Sequence, residues 1–121
     1  MIISRFEDIE SWKEARELVK EIYSLYQDCK DYSFKDQIQR AALSIMYNIA
    51  EGFDRGTNKE FIQFLNIARG SASEVKSLSY VSLDVGYTTT KQFEAISERC
   101  LKLSNLINGF IRCLRTSDRK K

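Results

Sequence analysis

The sequence contains no histidine and no proline, and only five of its 121 residues are glycine. Without histidine, the chain cannot form the usual Cys/His zinc site, and no imidazole can activate a serine or cysteine nucleophile. Without proline, and with so little glycine, long uninterrupted helices are permitted along most of the chain. These absences argue against several classes of enzyme and leave an all-helical fold open.

The sequence also has few cysteines, a small net charge and no long apolar run. Cys29, Cys100 and Cys113 are widely spaced, which argues for reduced thiols rather than a disulfide framework. No apolar run approaches the ~20 residues that span a bilayer, and the charged start MIISRFEDIE lacks the apolar core of a signal peptide. We therefore expect a cytoplasmic protein with no membrane partner. The net charge of +2 permits nucleic-acid binding without suggesting it.

Apolar residues recur at spacings of three and four in four segments, which predicts four helices. The predicted helices run from about Ile9 to Tyr26, from about Phe34 to Phe53, from Asn58 to about Val85, and onward from the Thr88–Thr90 cluster. On the first helix the predicted buried face comprises Trp12, Ala15, Val19, Ile22, Tyr23 and Tyr26. The second helix carries additional apolar surface at Leu43, Met46 and Tyr47, which is typical of a central helix or of one covered by another subunit.

Capping residues separate the predicted helices. Thr57 with Glu60 fits a capping box at the start of the third helix, and Thr89 with Gln92 makes a weaker one at the start of the fourth. Gly86 is suited to end the third helix. Short loops between four helices predict an all-α fold, an antiparallel up-down-up-down four-helix bundle. We expect residues 1–115 to form this single domain and residues 116–121 to form a basic tail.

A polar stripe follows helical spacing down the second helix and continues on the third. We predict an inter-helix polar network formed by Arg40, Ser44, Asn48, Glu51, Arg55, Arg69, Ser71 and Glu74. One interpretation is structural, because such hydrogen bonds fix helix register at some cost in stability. The other is a functional surface that lines a groove or channel. The antiparallel geometry favours the structural interpretation and makes an Arg40–Glu74 contact plausible.

The sequence offers little that would support catalysis. Glu51 and Glu74 are candidates for a carboxylate metal site, but two isolated glutamates make an incomplete ligand set, and hydrogen-bonded structural carboxylates are favoured. No glycine-rich phosphate loop is present, since GTNKE and GFDRG lack the required spacing. We predict no catalytic residues, no metal and no cofactor, and keep a metal-dependent enzyme as an alternative.

Basic residues gather towards the C-terminus. The candidate nucleic-acid contacts are Arg112, Arg115, Arg119, Lys120 and Lys121. Such residues usually form a solvated charged surface. In a ring of subunits, however, the basic residues of all the copies would act together, because phosphate binding grows with the number of phosphates neutralised.

Several short motifs together resemble one known family. They are Trp12-Lys13-Glu14-Ala15, Asp36 to Ala42, Asn48-Ile49-Ala50-Glu51-Gly52-Phe53, Arg55-Gly56, Lys59-Glu60-Phe61, Ala68-Arg69-Gly70-Ser71 with Glu74, and Gly86-Tyr87. They resemble the bacterial four-helix bundle proteins that are encoded in intervening sequences of 23S ribosomal RNA genes, and the resemblance covers nearly the whole chain.

The resemblance implies an antiparallel bundle that assembles into a ring-shaped homopentamer of largely unassigned function. A related branch, the accessory variability proteins of diversity-generating retroelements, binds nucleic acid and a reverse transcriptase; this chain is less basic than that branch. We therefore expect a non-enzymatic oligomer that binds RNA or an RNA-associated partner, and rank behind it a protein-interaction scaffold or a retroelement accessory protein.

Overall fold

A computed structural model describes residues 3–117 and contains four long helices in this range. A 3₁₀ turn at Phe6–Asp8 precedes α1 (Glu10–Leu25), α2 (Tyr32–Phe53), α3 (Asn58–Asp84) and α4 (Thr90–Thr116). The four predicted helices are confirmed. Helix α2 begins two residues earlier than predicted, because the Asp31 side chain accepts a hydrogen bond from the Phe34 N–H and caps the helix there.

The helices form an antiparallel four-helix bundle, as predicted. Each helix packs against the helices that precede and follow it in the chain, and α1 also packs against α4. Helix α2 therefore lies diagonally opposite α4, and α1 opposite α3. None of the helices among residues 3–117 combines the length and apolarity needed to cross a membrane.

One continuous apolar core runs along the bundle axis. Its fully buried members include Leu18, Ile22, Ile38, Ile45, Ile49, Leu65, Leu103 and Ile107. Cys100 also belongs to this core, since only 2% of it is exposed. The expectation for Tyr23 is wrong: the residue is 41% exposed, and Leu18 lies on the buried face of α1 instead. Leu18 lies three residues after Ala15 and four before Ile22, so it continues the same face.

The helix ends follow from local sequence. Thr89 and Gln92 form a complete capping box, in which each side chain accepts from the other residue's backbone N–H. Thr57 accepts from the Glu60 N–H, but no reciprocal bond from the Thr57 N–H to the Glu60 side chain is formed. Gly86 ends α3 at φ 83°, and the Gly86 and Tyr87 N–H groups bond back to Leu83 and Ser82 in a Schellman motif.

Helices α2 and α3 approach each other closely at Gly52. A Cβ atom at this position would lie 2.7 Å from the Cβ of Phe64 and 2.8 Å from Cδ1 of Phe61. Glycine is therefore required at Gly52 by contact with a neighbouring helix, rather than by backbone conformation.

Candidate functional site

Three members of the predicted polar network meet between α2 and α3. Ser44 and Asn48 lie one turn apart on α2, and the Asn48 side-chain amide donates to the Ser44 carbonyl at 2.8 Å and to Ser44 Oγ at 3.0 Å. Ser44 Oγ lies 2.8 Å from Ser71 Oγ on α3. Because Asn48 and Ser71 are buried, these bonds compensate polar atoms that have lost water. The cluster can fix the register of the two helices.

The charged residues that the sequence placed in the same stripe on α2 remain on its surface. Arg40 donates to Asp36 at 2.8 Å within α2, and Arg55, in the turn that follows α2, donates to Glu51 at 3.1 Å. Only Arg55 also reaches α3, where its guanidinium carbon lies 4.8 Å from the Phe64 ring centroid. These exposed pairs support α2 locally by a few tenths of a kcal/mol.

On α3, Arg69 and Glu74 do not join the cluster. Arg69 donates to Asn108 of α4 at 2.6 Å and to Asn66 of its own helix at 2.7 Å. Glu74 is exposed and makes no hydrogen bond or ion pair within residues 3–117, and the Arg40–Glu74 contact is not formed. Arg69 therefore links α3 to α4, while the buried cluster links α2 to α3.

Acidic side chains and the Cys100 thiol are the groups that could carry metal or nucleophilic chemistry. Among residues 3–117, no three side chains of His, Cys, Asp or Glu type are grouped so that they could hold a metal ion. Burial raises the pKa of the Cys100 thiol to about 12, so the thiolate needed for nucleophilic attack is suppressed near neutral pH.

Two of the candidate nucleic-acid contacts lie on α4. Arg112 and Arg115 are exposed, and neither makes an ion pair within the described chain. Asn58, the first residue of α3, donates from its side chain to the Leu114 carbonyl near the end of α4, at 2.9 Å. The start of α3, which includes Lys59, therefore lies at the same end of the bundle as Arg115. Arg119, Lys120 and Lys121 lie outside the described residues. A positive charge near the C-terminus of α4 also complements the helix dipole, which is the purely structural role for Arg115.

An apolar groove follows the outer face of α2. It encloses about 620 Å³ between α2 and the Phe6–Trp12 ring pair, whose centroids lie 5.2 Å apart. On its α2 side, Leu43 is 39% exposed and Tyr47 is 61% exposed. The apolar pattern of α2 indicated this surface, whereas the contribution of Phe6 depends on the 3₁₀ turn that brings it beside Trp12.

Sequence reasoning missed the ion pairs between α1 and α4. Arg99 of α4 donates to Glu14 at 2.7 Å and to Glu21 at 3.0 Å, both on α1, and Lys102 also pairs with Glu14. Glu14 and Glu21 are seven residues apart, a spacing that puts both on one helix face and is the available sequence signal. Nothing in the spacing of Glu14 and Glu21 indicates that Arg99 of α4 contacts both of them.

A second missed cluster joins the two loops at one end of the bundle. Tyr26 donates to Ser82 at 2.8 Å in the core, and Tyr87 donates to Asp31 at 2.7 Å on the surface. Burial raises the pKa of Tyr26, and the hydrogen bond to Tyr87 lowers the pKa of Asp31. These bonds fasten the α1–α2 connection to the end of α3.

Comparison with known proteins identifies related chains. The model of a family described as 23S rRNA-intervening sequence protein matches residues 7–109. A crystal structure of a protein of unknown function from the S23 ribosomal protein family of Bacteroides thetaiotaomicron is similar, with a TM-score of 0.79 and 27% sequence identity. The similarity covers 84% of this chain and 97% of that chain. No protein of curated function matches the sequence.

Proposed function

Because this chain belongs to the 23S rRNA-intervening sequence protein family, we propose that it is a non-enzymatic homopentamer that binds RNA in the cytoplasm. The observation that carries the RNA-binding proposal is the basic outer part of α4, where Arg112 and Arg115 lack carboxylate partners among the described residues. No acidic residue occurs between Arg99 and Ser117 in the sequence.

Assembly would make this weakly basic surface effective. One subunit offers only a few free cations, and its net charge is +2. In a ring the same cations recur in every subunit, and each phosphate contact steepens the dependence of binding on salt. The groove on α2 supports assembly, because a tyrosine that is 61% exposed beside an open apolar groove favours contact with a second copy.

RNA binding can be tested by fluorescence anisotropy with a labelled RNA hairpin and a single strand of equal length, across a salt series. We expect the double variant Arg112→Gln/Arg115→Gln to weaken binding to both RNAs. On the single strand it should reduce the log–log salt slope by about 1.4 for each subunit in contact, at about 0.7 per phosphate.

The matched control is Lys30→Gln/Lys91→Gln, which removes the same charge from the opposite end of the bundle. Equal losses in both double variants would indicate a general charge effect and contradict the assignment to α4. No binding by the original protein at low salt would overturn RNA binding itself. A protein partner that is retained after nuclease treatment, including a reverse transcriptase, would favour a scaffold or accessory role.

Assembly is tested separately by light scattering. We expect a mass near five times the 14.1 kDa of one chain. Tyr47→Lys should reduce the mass because it places a charge in the groove, whereas Tyr32→Lys, a change at an exposed tyrosine near the start of the same helix, should not. A monomer at micromolar concentration would contradict the pentamer without deciding whether RNA binds.

A further inference from the structure

We propose that the crevice between α3 and α4 holds a phosphate group through Arg69 and the side-chain amides of Asn66 and Asn108. The phosphate would belong to the backbone of the bound RNA, so the inference rests on the function proposed above. Arg69 and Asn66 are exposed and Asn108 is half-buried, so an extended polymer can reach all three side chains.

Arg69 is held in place without having its charge compensated. Several other arginines of the chain donate to carboxylates, namely Arg40, Arg55 and Arg99. Arg69 instead donates to two neutral amide oxygens, Oδ1 of Asn108 at 2.6 Å and Oδ1 of Asn66 at 2.7 Å, and forms no ion pair with any described residue. Because a guanidinium has five N–H groups, three of those on Arg69 remain for a ligand.

The two asparagines also present donors beside Arg69. Arginine can only donate, so each asparagine must turn its oxygen towards Arg69 and its Nδ2 group away. Neither Nδ2 group donates to another group within residues 3–117. Oδ1 and Nδ2 of one amide are about 2.2 Å apart, so each Nδ2 lies within about 5 Å of the guanidinium nitrogens. Three side chains therefore offer donors, which suits the several acceptor oxygens of a phosphate.

The acidic residues of α3 and α4 lie away from this cluster. Glu74 follows Arg69 by five residues, which places it roughly 140° around α3. Glu60 precedes Asn66 by six residues, which places it roughly 120° around the same helix. Helix α4 contains no acidic residue after Glu98. An anion in the crevice is therefore not repelled by a carboxylate on the faces that form it.

Arg112 adds a second positive charge nearby. It follows Asn108 by four residues and so lies one turn further along the same side of α4. Its Nη2 lies 3.8 Å from the place of a Cβ atom on Gly109, which puts the guanidinium over the residue next to Asn108. The proposed phosphate site is thus continuous with the basic surface of α4.

Asn108→Asp separates ligand binding from the structural role of Arg69. The aspartate keeps an oxygen that accepts from Arg69, so the link between α3 and α4 and the urea unfolding midpoint should be retained. It also removes the amide donor and neutralises the guanidinium. We expect the affinity for the labelled single-stranded RNA to fall at least about tenfold, as for one lost charge-assisted hydrogen bond. The log–log salt slope should fall by about 0.7 for each subunit in contact.

Two further variants complete this comparison. Asn66→Asp makes the same change on the other side of Arg69, at an exposed position, and provides the test should Asn108→Asp not fold. Gln37→Glu is the matched control, because it turns an exposed amide into a carboxylate on α2, diagonally opposite α4. Gln37→Glu should bind RNA within about twofold of the original protein, a small change in free energy.

Inorganic phosphate tests the site without RNA. In proton–nitrogen correlation NMR spectra of the full chain, millimolar phosphate should shift the side-chain amide signals of Asn66 and Asn108 and the Nε signal of Arg69. Sodium chloride at the same ionic strength should leave these signals in place.

The outcomes distinguish this site from RNA binding in general. Equal RNA affinity of the original protein and both aspartate variants would overturn the phosphate site and leave RNA binding intact. A loss in Gln37→Glu as large as in Asn108→Asp would overturn it as well, because the effect would then be one of total charge. Phosphate-dependent shifts in a protein that binds no RNA would support a site for free phosphate and overturn its assignment to RNA.

Discussion

Substituting alanine for Gly52 tests the close approach of α2 and α3 directly. The added methyl group would lie 2.7 Å from the Cβ of Phe64, whose position is fixed by the α3 backbone. It would also lie 2.8 Å from the Phe61 ring, which is 1% exposed and packs edge-on against Phe53 and Phe110. Carbon atoms prefer separations of about 3.5–4.0 Å, so the helices must move apart by roughly 1 Å or the core must rearrange.

The expected magnitude follows from two opposing terms. Overpacking a well-filled core typically costs about 1–3 kcal/mol. Replacing glycine by alanine in a helix contributes at most about 1 kcal/mol in the other direction. Gly52→Ala should therefore lower the free energy of unfolding by about 1–2 kcal/mol.

Gly70 provides the matched control. It lies within α3, is exposed, and a Cβ atom there would have no neighbour within 4 Å. Gly70→Ala should raise the free energy of unfolding by about 0.5–1 kcal/mol, through helix propensity alone. Because the propensity gain in Gly52→Ala is no larger, the difference between the two variants isolates the steric cost.

The assay is urea unfolding followed by far-UV circular dichroism, at one protein concentration because assembly would couple stability to concentration. The midpoints should rank Gly70→Ala, then the original protein, then Gly52→Ala. If Gly52→Ala is as stable as Gly70→Ala, then α2 and α3 do not approach as closely as the structure shows, and the steric argument fails.

Three further predictions concern single contacts. Arg99→Met should lower the free energy of unfolding by about 1–2 kcal/mol, because it leaves two partly buried glutamates of α1 without the arginine that they share. Arg40→Met, which removes an exposed ion pair, should lower it by less than about 0.5 kcal/mol. Equal unfolding midpoints of the two variants would contradict this. Tyr26→Phe should cost about 0.5–1.5 kcal/mol, since Ser82 keeps a second hydroxyl partner, and an unchanged midpoint would show that the buried bond contributes nothing. The pKa of Cys100 rises from 9.0 in the unfolded chain to about 12 in the folded protein, so the stability that its neutral thiol contributes is complete below pH 9 and is lost as the pH rises towards 12. Unfolding midpoints should therefore fall between pH 9 and pH 10, and they should fall less steeply in Cys100→Ala. Parallel pH profiles of the two proteins would refute the contribution of Cys100.

The sequence by itself determined the helices and their ends. Apolar residues at spacings of three and four predicted four helices because the helix repeat is a local property. The capping threonine Thr89 and the terminating glycine Gly86 act on backbone atoms a few residues away, so their roles were also readable. The same local motifs carry the family relationship. The start of α2 was misplaced by two residues because Asp31 was not recognised as a cap.

The tertiary structure decided which side chains meet. Spacing placed Arg40, Ser44 and Asn48 on one stripe, but only the latter two face α3, because the rotation of α2 leaves Arg40 in solvent beside Asp36. The requirement for glycine at Gly52 likewise depends on the distance between two helices. Such distances are set by the packing of the whole core, and no periodicity within one helix encodes them.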